Sequence, residues 1–390
     1  MRISKSLPST ARCLPFLLAG GRGARLFELT SAQCKPALSF GSGEGRIVDF
    51  ILAAAERAQF ESLFVATQYR PNDLCQHLNR HWAHGFAKGI SVRDGEFLSP
   101  YGYRGTADAL RCNITALDAY APRDVMVLSG DHVLDIDLEQ LLAHHRGHGL
   151  PVTVAATPVP LSQARGFGIF DRDADGEVFG FAEKPADPLP MQGDTERALA
   201  STGIYVFDWI WLKQVLREAP GRPTTRHDFG QDILPLALRE AALSVYRLPD
   251  GSDGQSAYWR DVGSLDAYRR AQLDFAAEVP PVALPKTMQR AQTDCIDSIA
   301  EGTVFLPGSK IGRRCQIRNA IVGSSVRLPD GFRAGYDAEE DARFFRRTPE
   351  GTLLITAEMM DRRNAALRKT TPRAPIQRVP RMTALTSLEG

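Results

Sequence analysis

Leu17-Leu18-Ala19-Gly20-Gly21-Arg22-Gly23-Ala24-Arg25-Leu26, with Lys35-Pro36 nine residues further on, decides how the rest of the chain is read. An apolar strand here runs into a glycine turn studded with arginine. Without a Cβ, glycine lets backbone N–H groups approach phosphate oxygens closely, while Arg22, Arg25 and Lys35 supply the positive charge. The pattern predicts a triphosphate site at the end of a strand. Ligand-free glycine turns can share it, so the residues downstream have to carry the reading.

The 390 residues are 43% hydrophobic and 24% charged, which fits a soluble globular protein of two to three domains. The 47 basic and 46 acidic residues leave a formal charge of +1, so no global field favours nucleic acid or an anionic membrane. Six scattered cysteines show no CxxC pair or zinc spacing, as expected of packing residues in a reducing compartment. No apolar run is long enough to span a bilayer, and the first twelve residues lack the apolar core of a secretory signal. A cytoplasmic protein is expected.

Short apolar segments alternate with helix-like stretches to about residue 275: Leu14 to Leu18, Ser62 to Ala66, Val125 to Leu128, Val152 to Ala156 and Gly203 to Phe207. Consecutive apolar positions suit an α/β sheet, mostly parallel, covered on both faces. Pro15 predicts a first strand that starts there and pairs fully from Phe16 onward. Residues 276–298, with Pro280, Pro281 and Pro285, read as a linker. Ile299, Phe305, Ile311 and Ile317 then recur every six residues, and Val326 and Phe332 repeat the interval after a slip. That is the period of a triangular parallel β-helix over residues 299–360, with about two coils. Residues 361–390 hold seven Arg or Lys, two acids and three prolines, and read as a disordered basic tail.

Asp131 in Ser129-Gly130-Asp131-His132 follows an apolar strand, where open α/β sheets place ligands. With Asp261 in Tyr258-Trp259-Arg260-Asp261-Val262-Gly263 it forms a Mg²⁺ candidate, because that ion takes one or two carboxylates plus phosphate oxygens. A turn or N-cap aspartate has the same signature. Glu183-Lys184-Pro185 offers an acceptor for hydroxyls and a point charge for phosphate. Tyr103-Arg104-Gly105-Thr106-Ala107-Asp108 opens a helix whose first turn suits an anion.

Taken in order, these segments resemble the bacterial ADP-glucose pyrophosphorylases (glucose-1-phosphate adenylyltransferases) of the sugar-phosphate nucleotidyltransferases. Thr67-Gln68-Tyr69, Phe181-Ala182-Glu183-Lys184-Pro185, Ser201-Thr202-Gly203-Ile204-Tyr205-Val206-Phe207, His227-Asp228-Phe229-Gly230 and Glu339-Glu340-Asp341-Ala342-Arg343-Phe344 add to the likeness, which spans nearly the whole chain. The resemblance implies a Rossmann-like nucleotidyltransferase domain (residues 1–275) and a short left-handed parallel β-helix. It implies attack of a sugar 1-phosphate on the α-phosphorus of a nucleoside triphosphate, with Mg²⁺ on Asp131 and Asp261. Arg25, Lys35 and Asp131 would be catalytic. Leu18, Ala19, Gly20, Gly21, Gly23, Gln68, Tyr103, Gly105 and Thr106 would lie by the nucleotide, and Gly168, Glu183, Lys184, Ser201, Asp228 and Trp259 by the sugar phosphate. A homo-oligomer, dimer or tetramer, is also implied.

Three departures bear on the substrate. Ala32 and Gln33 stand where the family often carries a basic pair for a sugar-phosphate activator. The linker and β-helix are short. Val92-Arg93-Asp94-Gly95-Glu96 replaces the family's adenine-reading stretch, and Asp94 or Glu96 could accept from guanine N1–H and N2–H₂. The favoured expectation is therefore a valienol-1-phosphate guanylyltransferase using GTP and a cyclitol phosphate in antibiotic synthesis. The alternatives are an ADP-glucose synthase for glycogen and a non-catalytic regulatory subunit.

Overall fold

The computed structural model describes residues 9–370 except 174–175, 219–224, 252–253, 255 and 290–296. Its centre is a sheet whose main path runs Leu243–Arg247, Val152–Pro160, Arg197–Asp208, Asp124–Ser129, Cys13–Leu18, Leu63–Thr67, Ile90–Asp94. Every neighbour pair on this path is parallel except those made by Arg197–Asp208, which runs against both of its neighbours.

Alternate residues of the central strands feed two cores. Phe16, Phe64 and Val127 face one side, with Phe16 stacked on Phe64 at 5.1 Å. Leu17, Val65 and Leu128 face the other. Burial on both faces is why these strands are apolar at every position. The first strand starts at Cys13, earlier than its proline suggests. Pro15 pairs with Met126 of Asp124–Ser129, whereas pairing with Leu63–Thr67 begins only at Phe16. The missing N–H is thus tolerated where the second neighbour has not yet joined.

The C-terminal domain has three faces of parallel pairing: Ile299–Glu301 with Gln316–Arg318 and Arg333–Ala334, Val304–Phe305 with Ala320–Val322 and Leu353–Ile355, and a bridge from Lys310 to Arg327. This is the short left-handed parallel β-helix expected of hexapeptide repeats. Ile299 pairs with Gln316 and Lys310 with Arg327, so these coils take 17 residues, one fewer than three sixes, whereas the step from Ala320 to Leu353 is longer and contains a helix, Ala338–Phe344. The aligned residues Ala300, Ile317 and Ala334 follow that spacing, and Ile317 and Ala334 are buried. Ile299, which the period of six places inside, is half exposed.

The tail is corrected from residue 361 to 370. A helix, Ala357–Thr370, covers that stretch, because the buried Met359 and Met360 anchor it on the β-helix core beside Ile317 and Ile355. Residues 371–390 lie outside the described residues.

Candidate active site

The parallel strands end together: Leu18 is level with Ser129 and next to Ala66, and Thr67 is level with Asp94. A cleft of about 460 Å³ opens at these carboxyl ends, walled by Leu18, Gly20, Gly21, Gln68, Tyr103, Gly105, Thr106, Asp131, Glu183, Lys184 and Asp228 among others. Strand order changes direction about Cys13–Leu18, the place where open α/β sheets bind ligands.

Gly21 has empty space where a Cβ would be, and its carbonyl accepts from Lys35 N–H at 3.1 Å. At Gly20 a Cβ would stand 3.1 Å from Gln68 Cβ. Gly23 has φ +67°, and a Cβ there would press on Lys35 Cβ at 2.9 Å. The turn therefore holds both the open space and the lysine. Ala19 is buried and outside the cleft lining, and its N–H donates to Ala66 O at 2.9 Å, so that donor is not free for a phosphate. Arg22 stacks over the Tyr69 ring at 5.3 Å. Arg25 is largely exposed, with Nη2 3.7 Å from Asp261.

Asp131 and Asp261 meet because Trp259–Asp261 pairs antiparallel with His132–Leu134, which sets Asp261 opposite His132. The buried Lys35 Nζ donates to Asp131 Oδ2 at 3.0 Å and to Asp261 Oδ1 at 2.8 Å. Burial works against charge on all three groups, but their mutual attraction outweighs it: both carboxyls lie below the usual range and the lysine above its own. Ser129 Oγ donates to Asp131 Oδ1 at 2.5 Å. The aspartates keep 32% and 20% of their side-chain surface exposed, so hard oxygens remain available to a cation. Among the described residues no group of three or more His, Cys, Asp or Glu could hold a metal. The two carboxylates suit an ion that completes its shell with phosphate and water, as Mg²⁺ does.

On the other wall, the Glu183 carboxylate fits between two glycines: a Cβ at Gly168 or Gly230 would come within 2.9 or 2.6 Å of its Oε2. Lys184 has φ +49° and extends an exposed ammonium 3.0 Å from Glu183 Oε1. Asp228 caps the turn that follows and accepts from Thr106 Oγ1 at 3.0 Å. Ser201 adjoins the bulge between Ser201 and Ile204, and its Oγ accepts from Gly203 N–H at 3.3 Å.

Other expected site residues lie elsewhere. Trp259 is buried behind His132, its ring 4.8 Å from Phe167 and 5.2 Å from His132. Asp94 accepts from Glu96 N–H as a helix cap, and neither residue lines the cleft. A cap is what a short polar side chain at a strand end does by default. Gly105 borders the cleft, but the helix N-terminus beside it is occupied: Ala107 and Asp108 N–H both point to His227 O, and a Cβ at Gly105 would stand 2.2 Å from that oxygen. Sequence reasoning assigned no role to His132 or Tyr205, both of which line the cleft. His132 was signalled by its place beside Asp131. Its Nδ1 lies 3.0 Å from Thr202 O and its Nε2 3.6 Å from Asp131.

Residues 14–278 match the nucleotidyl transferase family, and residues 290–355 match the GlmU-like C-terminal hexapeptide family. Glucose-1-phosphate adenylyltransferase of Rhodopseudomonas palustris (strain HaA2) is 36% identical, covering 91% of this chain and 98% of its own. That of Cereibacter sphaeroides (strain ATCC 17029) is 34% identical over 94% and 100%, and that of Granulibacter bethesdensis 36% over 90% and 97%. The cleft and these matches agree: the chain belongs to the nucleotidyl transferases, as a sugar-1-phosphate nucleotidyltransferase in the family of the bacterial glucose-1-phosphate adenylyltransferases.

Proposed function

We propose that the chain transfers AMP from ATP to α-glucose 1-phosphate, releasing pyrophosphate and forming ADP-glucose, in the cytoplasm and as a homo-oligomer. The observation that carries the choice of base is the likeness over nearly the whole chain to glucose-1-phosphate adenylyltransferases, and the use of Asp94 as a helix cap, outside the cleft lining, supports it. The adenylyltransferase names of the relatives support the same choice over the valienol reading. Arg25, Lys35, Asp131, Lys184 and Asp261 are all present, which supports catalysis over a silent subunit.

In this reading the triphosphate lies along the glycine turn with Arg25 over its outer phosphates. Lys184 holds the sugar phosphate, and Glu183 and Asp228 accept hydroxyls of the sugar. An oxygen of the sugar phosphate attacks the α-phosphorus in line and pyrophosphate leaves, so no covalent enzyme intermediate is required. The residues act by holding two anions together and offsetting their repulsion. Asp131 and Asp261 would hold Mg²⁺, which supplies charge neutralisation on the phosphates. Pyrophosphate release with ATP and with GTP, each against α-glucose 1-phosphate and valienol 1-phosphate, tests the proposal. Preference for GTP with the cyclitol would overturn it. Light scattering of the purified chain reads the oligomer.

A further inference from the structure

The segment that follows the glycine turn, Ala24–Thr30, does not stand on the catalytic domain alone. Leu26 and Leu29 are buried in one apolar cluster with Val304, Leu306, Ile321 and Leu354 of the β-helix. Leu354 lies opposite Arg346 in the antiparallel hairpin at the end of that domain. Arg346 reaches back onto the loop: Nε and Nη2 donate to the two carboxylate oxygens of Glu28 at 2.7 and 2.6 Å, and its guanidinium carbon lies 4.1 Å from the centre of the Phe27 ring. A forked pair fixes orientation as well as position, which an ammonium cannot do. Phe27 itself has φ 52° and ψ −121°, a backbone state that a bulky residue keeps only when its surroundings hold it. The hairpin's other polar contacts with the catalytic domain go to a helix, Leu265–Asp274: Thr348 to Asp266, Glu350 to Arg270 and Thr352 to Arg269.

We infer that Arg346 is a positioning residue that acts from the second domain: by pinning Phe27 and Glu28 it sets the conformation of the loop that carries Arg25 to the triphosphate. The link to the nucleotide rests on the reading of Arg25 given above; the hold on the loop does not. Two of the molecule's domains thereby share one substrate site.

The test uses the full-length protein and the variants Arg346→Gln, Glu28→Gln, the double variant, Arg346→Lys, and Arg270→Gln as a control that breaks a different pair of the same hairpin. Deuterium uptake by the amides of residues 20–30, measured without nucleotide, should rise in either single Gln variant and stay at the wild-type level in Arg270→Gln. The KM for ATP should rise about fivefold with kcat changed less than about twofold. The double variant should be no worse than either single one, and Arg346→Lys should recover only part of the loss. Unchanged uptake in Arg346→Gln, or equal effects from Arg270→Gln, would overturn the inference. If the wild type releases no pyrophosphate from ATP and glucose 1-phosphate, the substrate reading fails, and the uptake measurement still decides whether Arg346 holds the loop.

Discussion

Asp131 is the residue whose loss should cost most, since its carboxylate is held by Lys35 and Ser129 and still faces the cleft. Asp131→Asn should lower kcat by about a hundredfold or more without a comparable fall in thermal stability. Near-normal turnover would remove Asp131 from the cation site. Lys184→Gln removes a charge that ground and transition states share, so the KM for the sugar phosphate should rise about tenfold and kcat should change little. Two glycines separate chemistry from packing. Gly21 has open space for a methyl group, so Gly21→Ala should leave the melting temperature in place and raise the KM for the nucleotide. Gly105 abuts the His227 carbonyl, so Gly105→Ala should destabilise by about 1–3 kcal/mol in urea denaturation. The residue types that the cleft brings together were legible because phosphate chemistry, on the proposed reading, restricts them: glycine for approach, arginine and lysine for charge, aspartate for a cation. What a side chain does when it is not needed for that chemistry was not legible. Asp94 caps the helix that begins beside it, a local use that competes with any contact to a base, and Ala19 spends its N–H on a neighbouring strand that only the fold brings in.

At the scale of elements, the antiparallel pairing of Trp259–Asp261 with His132–Leu134 brings together Asp131 and Asp261, the proposed cation ligands, from segments far apart in sequence. The motifs paired Asp131 with Asp261, but only the fold shows how they meet, through the strand register, and that one lysine joins them. The period of six in the β-helix was legible for the same reason as the apolar strands, because each coil must bury something. Its phase was not, since a 17-residue coil moves the inward position from Ile299 to Ala300. The helix Leu138–His148 carries a titratable group in the same situation. His145 is 4% exposed, with Nδ1 2.8 Å from Thr153 Oγ1, and burial followed by the nearby His148 lowers its pKa from 6.5 to about 4. The unfolded chain binds this proton more readily, so the stability is fully present above pH 6.5 and is lost as the pH falls towards 4. Urea denaturation should show about 2–3 kcal/mol of this loss between pH 7 and 4.5. His145→Gln should flatten that slope, and an unchanged slope would place the titration elsewhere.

At the scale of the molecule, the terminal helix Ala357–Thr370 closes the β-helix core through Met359 and Met360. Composition reads residues 361–390, basic and with three prolines beyond the helix, as a tail, and two methionines are too weak a pattern to announce a helix by themselves. Met359→Ala should cost about 2–4 kcal/mol by denaturation, whereas a cost near zero would mean the helix adds nothing to the domain. Lys35 has a consequence at this scale too. Its ammonium lies between two carboxylates that would otherwise repel each other, so the pair carries a net charge of one rather than two. In the proposed reading the cradle for the cation is therefore braced from inside, and its shape is expected to hold with or without the ion. Stripping divalent ions with a chelator should stop turnover while moving the melting temperature by no more than about 2 °C, since a ligand adds stability only in proportion to its occupancy. Restoring Mg²⁺ should restart the reaction at once, with no refolding phase, as expected of an enzyme that can be stored empty and loaded on demand, a tool rather than a part that must be assembled.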